Sequence, residues 1–390
     1  MAMYIFILVL LLFGVFHFDY KENRFFKKFY YFVVFVVCTL MMCLRYRVGG
    51  DSLTYEDIYN YLPNLRTLSH YMNSRNKEDF QYGYLLFVAI CRNISKDYYF
   101  YQFVHGVIFN LVFFWFVYKH SNKPFTAVLL TYFFIIYFYF GYEIQREIFA
   151  ICCFLLSYSA FLKNKWIIYY FFCLLAFSFH NSAVFLFVLP LLKLVKLSTK
   201  FIYISLIFSI PIIISKIAFM DLIKVLLVTE AMQKKGEAYS EIEFSALGTI
   251  FFYFARVIIF VPFLLYYAKN KIEDKKYDWL FVGIFWVAML SQAMIGIDRF
   301  NNYLYIPFIV FLSNFLYDER YRFRSWLHRK TVNLSGYLLL FSVICLKFFT
   351  HNIEGKYYFY NVFFPYETVL DKKDTKERED YLEEMWKTGN

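Results

Sequence analysis

Arginine, glycine and aspartate residues cluster directly after a long apolar run, in the stretch R-Y-R-V-G-G-D-S-L-T-Y at Arg45–Tyr55. Guanidinium groups bind phosphate oxygens through paired hydrogen bonds, and a glycine pair lets the backbone turn closely around such a group. We therefore interpret Arg45 and Arg47 as anion-binding residues. The alternative is that both arginines only reach lipid headgroups from a helix end.

A second polar group, E-I-Q-R-E at Glu143–Glu147, opens another apolar run. Residues four apart share a helix face, which predicts that Glu143 and Glu147 lie side by side, near Arg146. Charges at membrane depth are costly and usually mark a site. We therefore interpret this group, which includes Gln145 and Arg146, as part of a functional site. The competing interpretation is a local salt bridge at the end of the run.

Single polar residues at two other apolar runs extend the candidate set. His180 ends the run F-S-F-H-N-S-A, and its titration range suits a general base near neutral pH. A hydrogen-bonded structural histidine is the alternative. Arg256 lies in the middle of an apolar run, where an unpaired arginine costs about 2.5–3.5 kcal/mol. It must therefore meet a ligand or an acidic side chain, and Asp298-Arg299 is a possible neighbour pair.

The elements that carry these residues are membrane helices. Of the 390 residues, 61% are hydrophobic and 25% aromatic, and the apolar residues lie in runs long enough to cross roughly 30 Å of hydrocarbon. The sequence predicts an all-α polytopic membrane protein with about 12 transmembrane helices (11–14). The runs fall at approximately residues 3–18, 28–44, 98–118, 124–140, 144–162, 166–179, 181–197, 201–218, 244–268, 278–297, 301–317 and 332–350.

The density of Lys and Arg in the connections sets the predicted orientation. The basic connections, predicted to be cytoplasmic, are 21–28, 119–123, 163–165, 193–200, 269–276 and 320–330. They alternate correctly only if Tyr82–Ile94, which is too short to span comfortably, is a re-entrant or interfacial helix within one long external segment, 45–97. The prediction is a single transmembrane domain over 1–350, with a second external loop at 219–243, and an external tail at 351–390. Most of the candidate polar residues then face outside.

The formal charge of +11 is interpreted as this topology signal, so we expect no nucleic-acid partner. The sequence contains no GxGxxG, P-loop, HExxH or CxxC pattern. We therefore expect no cofactor and no bound metal ion.

Taken in order, these motifs resemble the EpsG-like branch of Wzy-type bacterial polysaccharide polymerases. The resemblance rests on R-Y-R-V-G-G-D-S-L-T-Y, F-Q-Y-G-Y-L-L, I-Q-R-E-I-F-A, F-H-N-S-A, R-F-N-N-Y-L-Y-I-P and Pro365-Tyr366. It covers nearly the whole chain, and its strength lies in the order of motifs that are individually weak.

The resemblance implies a C-type glycosyltransferase that is metal-independent and inverting. Such enzymes join oligosaccharide repeat units carried on undecaprenyl diphosphate, at the periplasmic or outer face of the bacterial cytoplasmic (inner) membrane. Donor and acceptor are then both lipid-linked, the bilayer is a partner, and a chain-length regulator is a candidate further partner. The orientation predicted from the charges agrees, because it puts the motifs on the external face.

Roles for individual residues follow from this resemblance. The departing diphosphate gains negative charge, which arginines can stabilise; the residues assigned are Arg45, Arg47, Arg146 and Arg299, with Arg256 as a deeper alternative. The general base is assigned first to His180 and then to Glu143 or Asp51. Other substrate contacts are assigned to Tyr55, Gln145 and Tyr84.

Other classes share part of this pattern. An O-antigen ligase has the same architecture but uses another acceptor. A lipid-linked oligosaccharide flippase is expected to have a cationic mid-membrane cavity and repeat symmetry, whereas no internal repeat is evident here. A membrane O-acetyltransferase is expected to place its catalytic histidine deep in the bilayer.

Overall fold

The chain is helical throughout its described part. The computed structural model describes residues 2–73, 80–214, 253–254, 256–270, 275–292, 295–317 and 358–387. Within these ranges the β pairing is limited to one isolated antiparallel bridge, between Arg45 and Thr368. The all-α prediction is confirmed for these ranges. The predicted external loop 219–243 and the predicted span 332–350 lie outside the described residues.

Sixteen α-helices are found among the described residues. They are α1 Ala2–Gly14, α2 Lys27–Cys43, α3 Ser52–Tyr61, α4 Leu68–Asn73, α5 Tyr82–Ile94, α6 Tyr98–His120, α7 Pro124–Phe133, α8 Ile136–Phe138, α9 Glu147–Leu162, α10 Trp166–Phe179, α11 Val184–Leu192, α12 Thr199–Ile214, α13 Val261–Asn270, α14 Asp278–Leu290, α15 Asn301–Phe315 and α16 Lys376–Lys387. π-Helical turns occupy Val15–Tyr20 and Tyr139–Glu143, and 3₁₀ turns occupy Asn181–Ala183, Ile258–Phe260, Lys275–Tyr277, Ile295–Phe300 and Phe359–Val362.

Two of the described helical stretches have the length and apolar character of membrane spans, Ala2–Tyr20 and Tyr98–His120. A third candidate joins Pro124–Phe133 to Ile136–Glu143 across an 81° bend. The other apolar helices have 10–17 residues, fewer than the roughly 20 that cross a bilayer. These helices support a membrane protein, and the total of about 12 spans stays a prediction.

The chain divides into two compact units. The first comprises Met1–Lys77, Tyr82–Cys152 and Ile309–Asn390, and the second comprises Glu78–Gln81 and Cys153–Phe308. The described tail residues thus belong to the first unit. The single transmembrane domain over 1–350 stays a prediction.

In the first unit, α2 packs closely along α6. Gly106 permits this approach, since a Cβ at that position would lie 2.7 Å from the Sγ of Cys43. The same sulfur lies 3.3 Å from the Phe103 carbonyl oxygen, to which it can donate. The first turns of α6 therefore lie against the end of α2, directly before Arg45.

A sharp bend follows α7. Ile135 has a φ of 64°, a left-handed conformation that β-branched residues rarely adopt. The π-helical turn Tyr139–Glu143 then ends at Ile144, and α9 begins at Glu147. The prediction that Glu143 and Glu147 share a helix face is wrong, because the helix is interrupted between them.

The tail of the first unit pairs with the backbone that follows α2. The Tyr46 N–H donates to the Glu367 carbonyl and the Val369 N–H to the Leu44 carbonyl, each at 2.8 Å. These two bonds flank the bridge between Arg45 and Thr368.

Arg378 of α16 hydrogen-bonds to backbone carbonyls of the tail and of the segment after α2. Only 1% of its surface is exposed. It donates to the carbonyls of Asn361 at 3.2 Å and Arg47 at 3.3 Å, and also to that of Pro365. Burial lowers the pKa of Arg378, and nearby acidic groups oppose that shift. Backbone carbonyls thus satisfy a cation that would be costly to bury alone.

The second unit is built around α14, which is buried on nearly all sides. Trp279 packs edge-on against Phe161, with ring centres 4.8 Å apart. The carboxylate of Asp278 accepts a hydrogen bond from the Leu197 N–H at 2.9 Å. This arrangement fixes the connection between α11 and α12 against the start of α14.

Candidate functional site

Arg45 is buried completely in the first unit. Its Nη1 donates to the Met42 carbonyl at 2.6 Å, and its guanidinium carbon lies 4.5 Å from the centre of the Tyr142 ring. In the described part of the chain, its Nε and Nη2 have no hydrogen-bond partner. A buried cation without a counter-charge is strongly unfavourable. The guanidinium therefore retains the capacity to bind an anion.

Gln102 fixes the turn that carries Arg45. Its Nε2 donates to the carbonyls of Cys43 at 3.1 Å and Arg45 at 2.7 Å. Nearby, the Nε2 of Gln145 donates to the Tyr98 hydroxyl at 2.8 Å. The other amide atom of this side chain, Oε1, is buried without a hydrogen-bond partner among the described residues.

A second tyrosine, Tyr366, joins Tyr142 beside the Arg45 guanidinium. The Tyr142 hydroxyl is buried and lies beside the Tyr4 hydroxyl. The Tyr366 hydroxyl donates to the Met41 carbonyl at 2.7 Å. Burial raises the pKa of Tyr366, and the charge of Arg45 opposes this shift. We call this group the Arg45 cluster; its members are Arg45, Gln102, Tyr142, Gln145 and Tyr366.

Arg146 lies beside Tyr55 in the same unit. Burial raises the pKa of Tyr55, while the charge of Arg146 and its hydrogen bond to the hydroxyl oppose this shift, and the charge of Asp51 adds to it. The Tyr84 hydroxyl accepts from Tyr101 at 3.5 Å, within the electrostatic range of Tyr55 and Arg146. The sequence motifs at 45–55, 82–84 and 143–147 thus meet in the first unit.

Arg47 differs from Arg45 because carboxylates already surround it. Its Nε donates to Glu56 at 2.9 Å, and its Nη1 donates to Asp374 at 3.0 Å and to Glu379 at 2.9 Å. Burial opposes the charge of Arg47, but Glu56 and Glu379 outweigh it and raise the pKa of Arg47. Diphosphate binding by Arg47 stays a prediction, and any such anion would compete with these carboxylates.

Gly49 brings the Arg45 turn against the Tyr142 backbone. Its φ is 116°, and an added Cβ would lie 2.8 Å from the Cβ of Tyr142. Its N–H donates to the Val362 carbonyl at 3.1 Å. In this structure Gly49 is required for close packing. The expectation that the glycine pair also wraps a phosphate stays a prediction.

His180, in the second unit, caps the 3₁₀ turn Asn181–Ala183. Its Nδ1 accepts the Ser182 N–H at 3.2 Å and lies 2.7 Å from the Ser182 hydroxyl oxygen. That hydroxyl is 2.8 Å from the hydroxyl oxygen of Tyr303. Because Nδ1 accepts a backbone N–H, the neutral imidazole carries its proton on Nε2. In this tautomer the Nε2 atom of His180 carries a proton that it can donate. It has no free lone pair with which to act as a base.

Arg256 pairs with Asp298, as expected from the cost of leaving it alone. Its Nη1 donates to Asp298 at 3.0 Å, with about a third of each side chain exposed. The other carboxylate oxygen accepts from Asn301 at 3.2 Å. Arg299 directly follows Asp298 in the 3₁₀ turn Ile295–Phe300.

The predicted residues are thus divided between the two units. The first unit holds Arg45, Arg47, Asp51, Tyr55, Tyr84, Glu143, Gln145 and Arg146, and the second holds His180, Arg256 and Arg299. Glu143 faces the tail helix, where its charge adds to the effect of burial in raising the pKa of Tyr381. For the residues that the structure describes, no three His, Cys, Asp or Glu side chains lie close enough to hold a metal ion.

The EpsG family model matches residues 28–368. The chain belongs to the EpsG family. This membership indicates a membrane protein of polysaccharide biosynthesis, related to polymerases. No curated protein and no solved structure gives a significant match to the chain. The match to the EpsG family begins inside α2 and ends at Thr368, so it includes both sides of the Arg45–Thr368 bridge.

The sequence analysis did not single out several buried polar residues in and around the Arg45 cluster. Gln102, His105 and Asn110 are fully buried polar residues of α6, and polar residues inside an apolar helix often mark a site. That signal was available in the sequence. The contribution of Tyr142 had no such signal, because it stands among many other aromatic residues. Tyr366 belonged to the Pro365-Tyr366 motif but was assigned no role.

Proposed function

We propose that this protein is a polysaccharide polymerase that joins undecaprenyl-diphosphate-linked oligosaccharide repeat units at the external face of the bacterial cytoplasmic membrane. The reaction is a metal-independent glycosyl transfer with inversion. The hydroxyl of a non-reducing sugar on one lipid-linked unit attacks the anomeric carbon of the growing glycan, and undecaprenyl diphosphate departs.

The observation that carries this proposal is the state of Arg45. It is a fully buried cation whose Nε and Nη2 lack partners in the described ranges, within a segment that the EpsG family model covers. Charge-assisted hydrogen bonds from a guanidinium to phosphate oxygens would satisfy both nitrogens. The diphosphate of the donor would also supply the missing counter-charge.

Electrostatic stabilisation of the leaving group is the proposed source of catalysis. Negative charge grows on the diphosphate as the anomeric C–O bond breaks, and a donor fixed beforehand in a buried site stabilises that charge without reorganising. Gln102 holds the Arg45 turn through two carbonyls. Arg146, which the Tyr55 hydroxyl orients, is the second proposed ligand of the diphosphate.

Three residues are candidates for the general base, and we propose an order among them that differs from the one the resemblance implies. Asp51 is now our first candidate, because its charge acts on Tyr55 beside Arg146 in the first unit. His180 comes next, since its capping bond at Nδ1 favours a proton on Nε2. Glu143 faces the tail helix and comes last.

Polymer formation by purified protein in liposomes tests the proposal. Lipid-linked repeat units serve as both donor and acceptor, and gel electrophoresis of the products measures chain length. Wild type should give a ladder of polymer, and Arg45→Met should reduce the rate by about 100- to 1,000-fold. The matched control is Arg66→Met, which removes an exposed arginine from the same predicted external segment. Ladders of equal rate from Arg45→Met and wild type would overturn the assignment.

A further inference from the structure

The opposite end of α2 carries a cavity lined by cations. Its volume is about 370 Å³, and its lining includes Arg24, Lys27, Lys28, Tyr118 and Ser121. No acidic residue lines it. The cavity lies between the start of α2 and the end of α6, where the charge pattern predicts the cytoplasmic face.

Two acidic residues of the connection before α2, Asp19 and Glu22, are already paired. The buried carboxylate of Asp19 accepts from the N–H and the hydroxyl of Thr126 at 2.7 and 3.0 Å, and it lies 3.4 Å from the Lys27 ammonium. Glu22 pairs with Lys123 at 2.6 Å. In the part of the chain that the structure describes, neither Arg24 nor Lys28 forms an ion pair. The cavity therefore has cationic charge available for an anion.

An apolar groove is built on the helical hairpin that α1, the connection 15–26 and α2 form. Its volume is about 330 Å³, and Phe13, Phe18, Phe25, Phe26 and Phe29 are among the residues that line it. The last three are 72%, 64% and 65% exposed, so their rings are open to an apolar partner.

The backbone of the hairpin is strained where these side chains emerge. Phe26 has a φ of 59° and Glu22 a φ of 55°, both in the left-handed region that costs a non-glycine residue on the order of 1–2 kcal/mol. The turn thus alternates cations, which line the cavity, with exposed aromatic rings, which line the groove.

We propose that this hairpin binds one anionic phospholipid of the bilayer. The headgroup phosphate occupies the cavity beside Arg24 and Lys28, and an acyl chain lies in the groove formed by Phe25, Phe26 and Phe29. The cavity and the groove are lined by interleaved residues of one segment, 23–29, and this combination of cations and aromatic rings complements an amphiphile with an anionic head. Because the 17-residue α2 separates this hairpin from Arg45, the proposal is independent of the polymerase reaction.

Lipid retention in native mass spectrometry tests the site. Protein extracted in mild detergent is titrated with phosphatidylglycerol, with phosphatidylcholine of the same acyl chains, and with inorganic phosphate. Wild type should retain one phosphatidylglycerol molecule, and Arg24→Gln/Lys28→Gln should bind it at least about tenfold more weakly. Phe25→Ser/Phe29→Ser should also weaken retention, since the acyl chain loses its groove.

The matched control is Lys163→Gln/Lys165→Gln, which removes the same charge from exposed lysines of another predicted cytoplasmic connection. Equal retention by the Arg24/Lys28 variant and wild type would overturn the site, as would an equal loss in the control. Equal retention of phosphatidylcholine, or saturation of wild type by inorganic phosphate alone, would overturn the anionic phospholipid as occupant. Should the Arg24/Lys28 variant fail to fold, the three titrations of wild type decide the question alone.

Discussion

Arg45 in the first unit and Arg256 in the second invite comparison, because each arginine follows or interrupts an apolar run. Arg256 is partly exposed and pairs with Asp298, so its charge is compensated within the protein. Arg45 is fully buried, and in the described ranges its Nε and Nη2 have no partner. The position of an arginine in an apolar run therefore does not by itself distinguish a structural role from ligand binding. The presence or absence of an acidic partner distinguishes the two roles.

The largest expected difference between the two arginines is in stabilisation by ligand. Undecaprenyl diphosphate at 100 times its Kd should stabilise wild type by about 2.7 kcal/mol. Arg45→Met should lose nearly all of this gain, while Arg256→Met should keep it. Thermal unfolding in detergent, with and without the lipid, measures both. A shift of similar size in all three proteins would mean that Arg45 does not bind the diphosphate.

Substitution of the glycine beside the Arg45 cluster should have the next largest effect. Gly49→Ala places a Cβ 2.8 Å from Tyr142 at a φ of 116°, which should destabilise the protein by about 1–3 kcal/mol. Gly50→Ala is the control, since φ at Gly50 is not positive. Denaturant unfolding compares the two, and an equally small effect from both would show that the close packing on Tyr142 is not needed.

Arg47 stands between these extremes, because it is paired but lies in the same segment, Arg45–Tyr55, as the buried Arg45. Glu379→Gln removes one of its carboxylate partners, and Arg47 should then be more available to an anion. We expect the affinity for undecaprenyl diphosphate to rise by about two- to fivefold, the scale of one partly exposed ion pair. Glu377→Gln on the same helix, which has no contact with Arg47, should leave the affinity unchanged. An unchanged Kd in both variants would indicate a purely structural role for Arg47.

The smallest effect is expected at the paired arginine of the second unit. A double-mutant cycle of Arg256→Gln and Asp298→Asn should give a coupling energy of about 0.2–1 kcal/mol, because the pair is partly exposed. Unfolding free energies of the four proteins supply the measurement. A coupling well above this range would place the pair in a drier setting than the structure shows.

Local patterns predicted part of this structure well. The helix Tyr82–Ile94 has the predicted bounds, because an apolar segment between polar flanks determines its own ends. The pairing of Arg256 with Asp298 followed from the cost of an unpaired arginine. Both inferences needed only short-range or single-residue physics.

Long-range and conformational features could not be predicted in this way. The interruption between Glu143 and Glu147 depends on a π-helical turn that periodicity cannot show. Two of the three carboxylates that pair with Arg47 come from the tail residues Asp374 and Glu379, and the sequence gives no sign that a charged tail reaches that segment. The tautomer of His180 depends on the Ser182 N–H, which is a matter of backbone geometry.

The docking of the tail also has a consequence for the order of biosynthesis. Tyr366 bonds to the Met41 carbonyl from 325 positions further along the chain, and Arg378 bonds to the Arg47 carbonyl from a similar distance. The ribosome therefore synthesises Arg45 and Arg47 long before the tail residues that pack around this segment. Until residues 358–387 have been synthesised and have reached the segment, the Arg45 cluster lacks Tyr366 and the paired backbone beside it. The cluster therefore stays incomplete until nearly the whole chain has been synthesised.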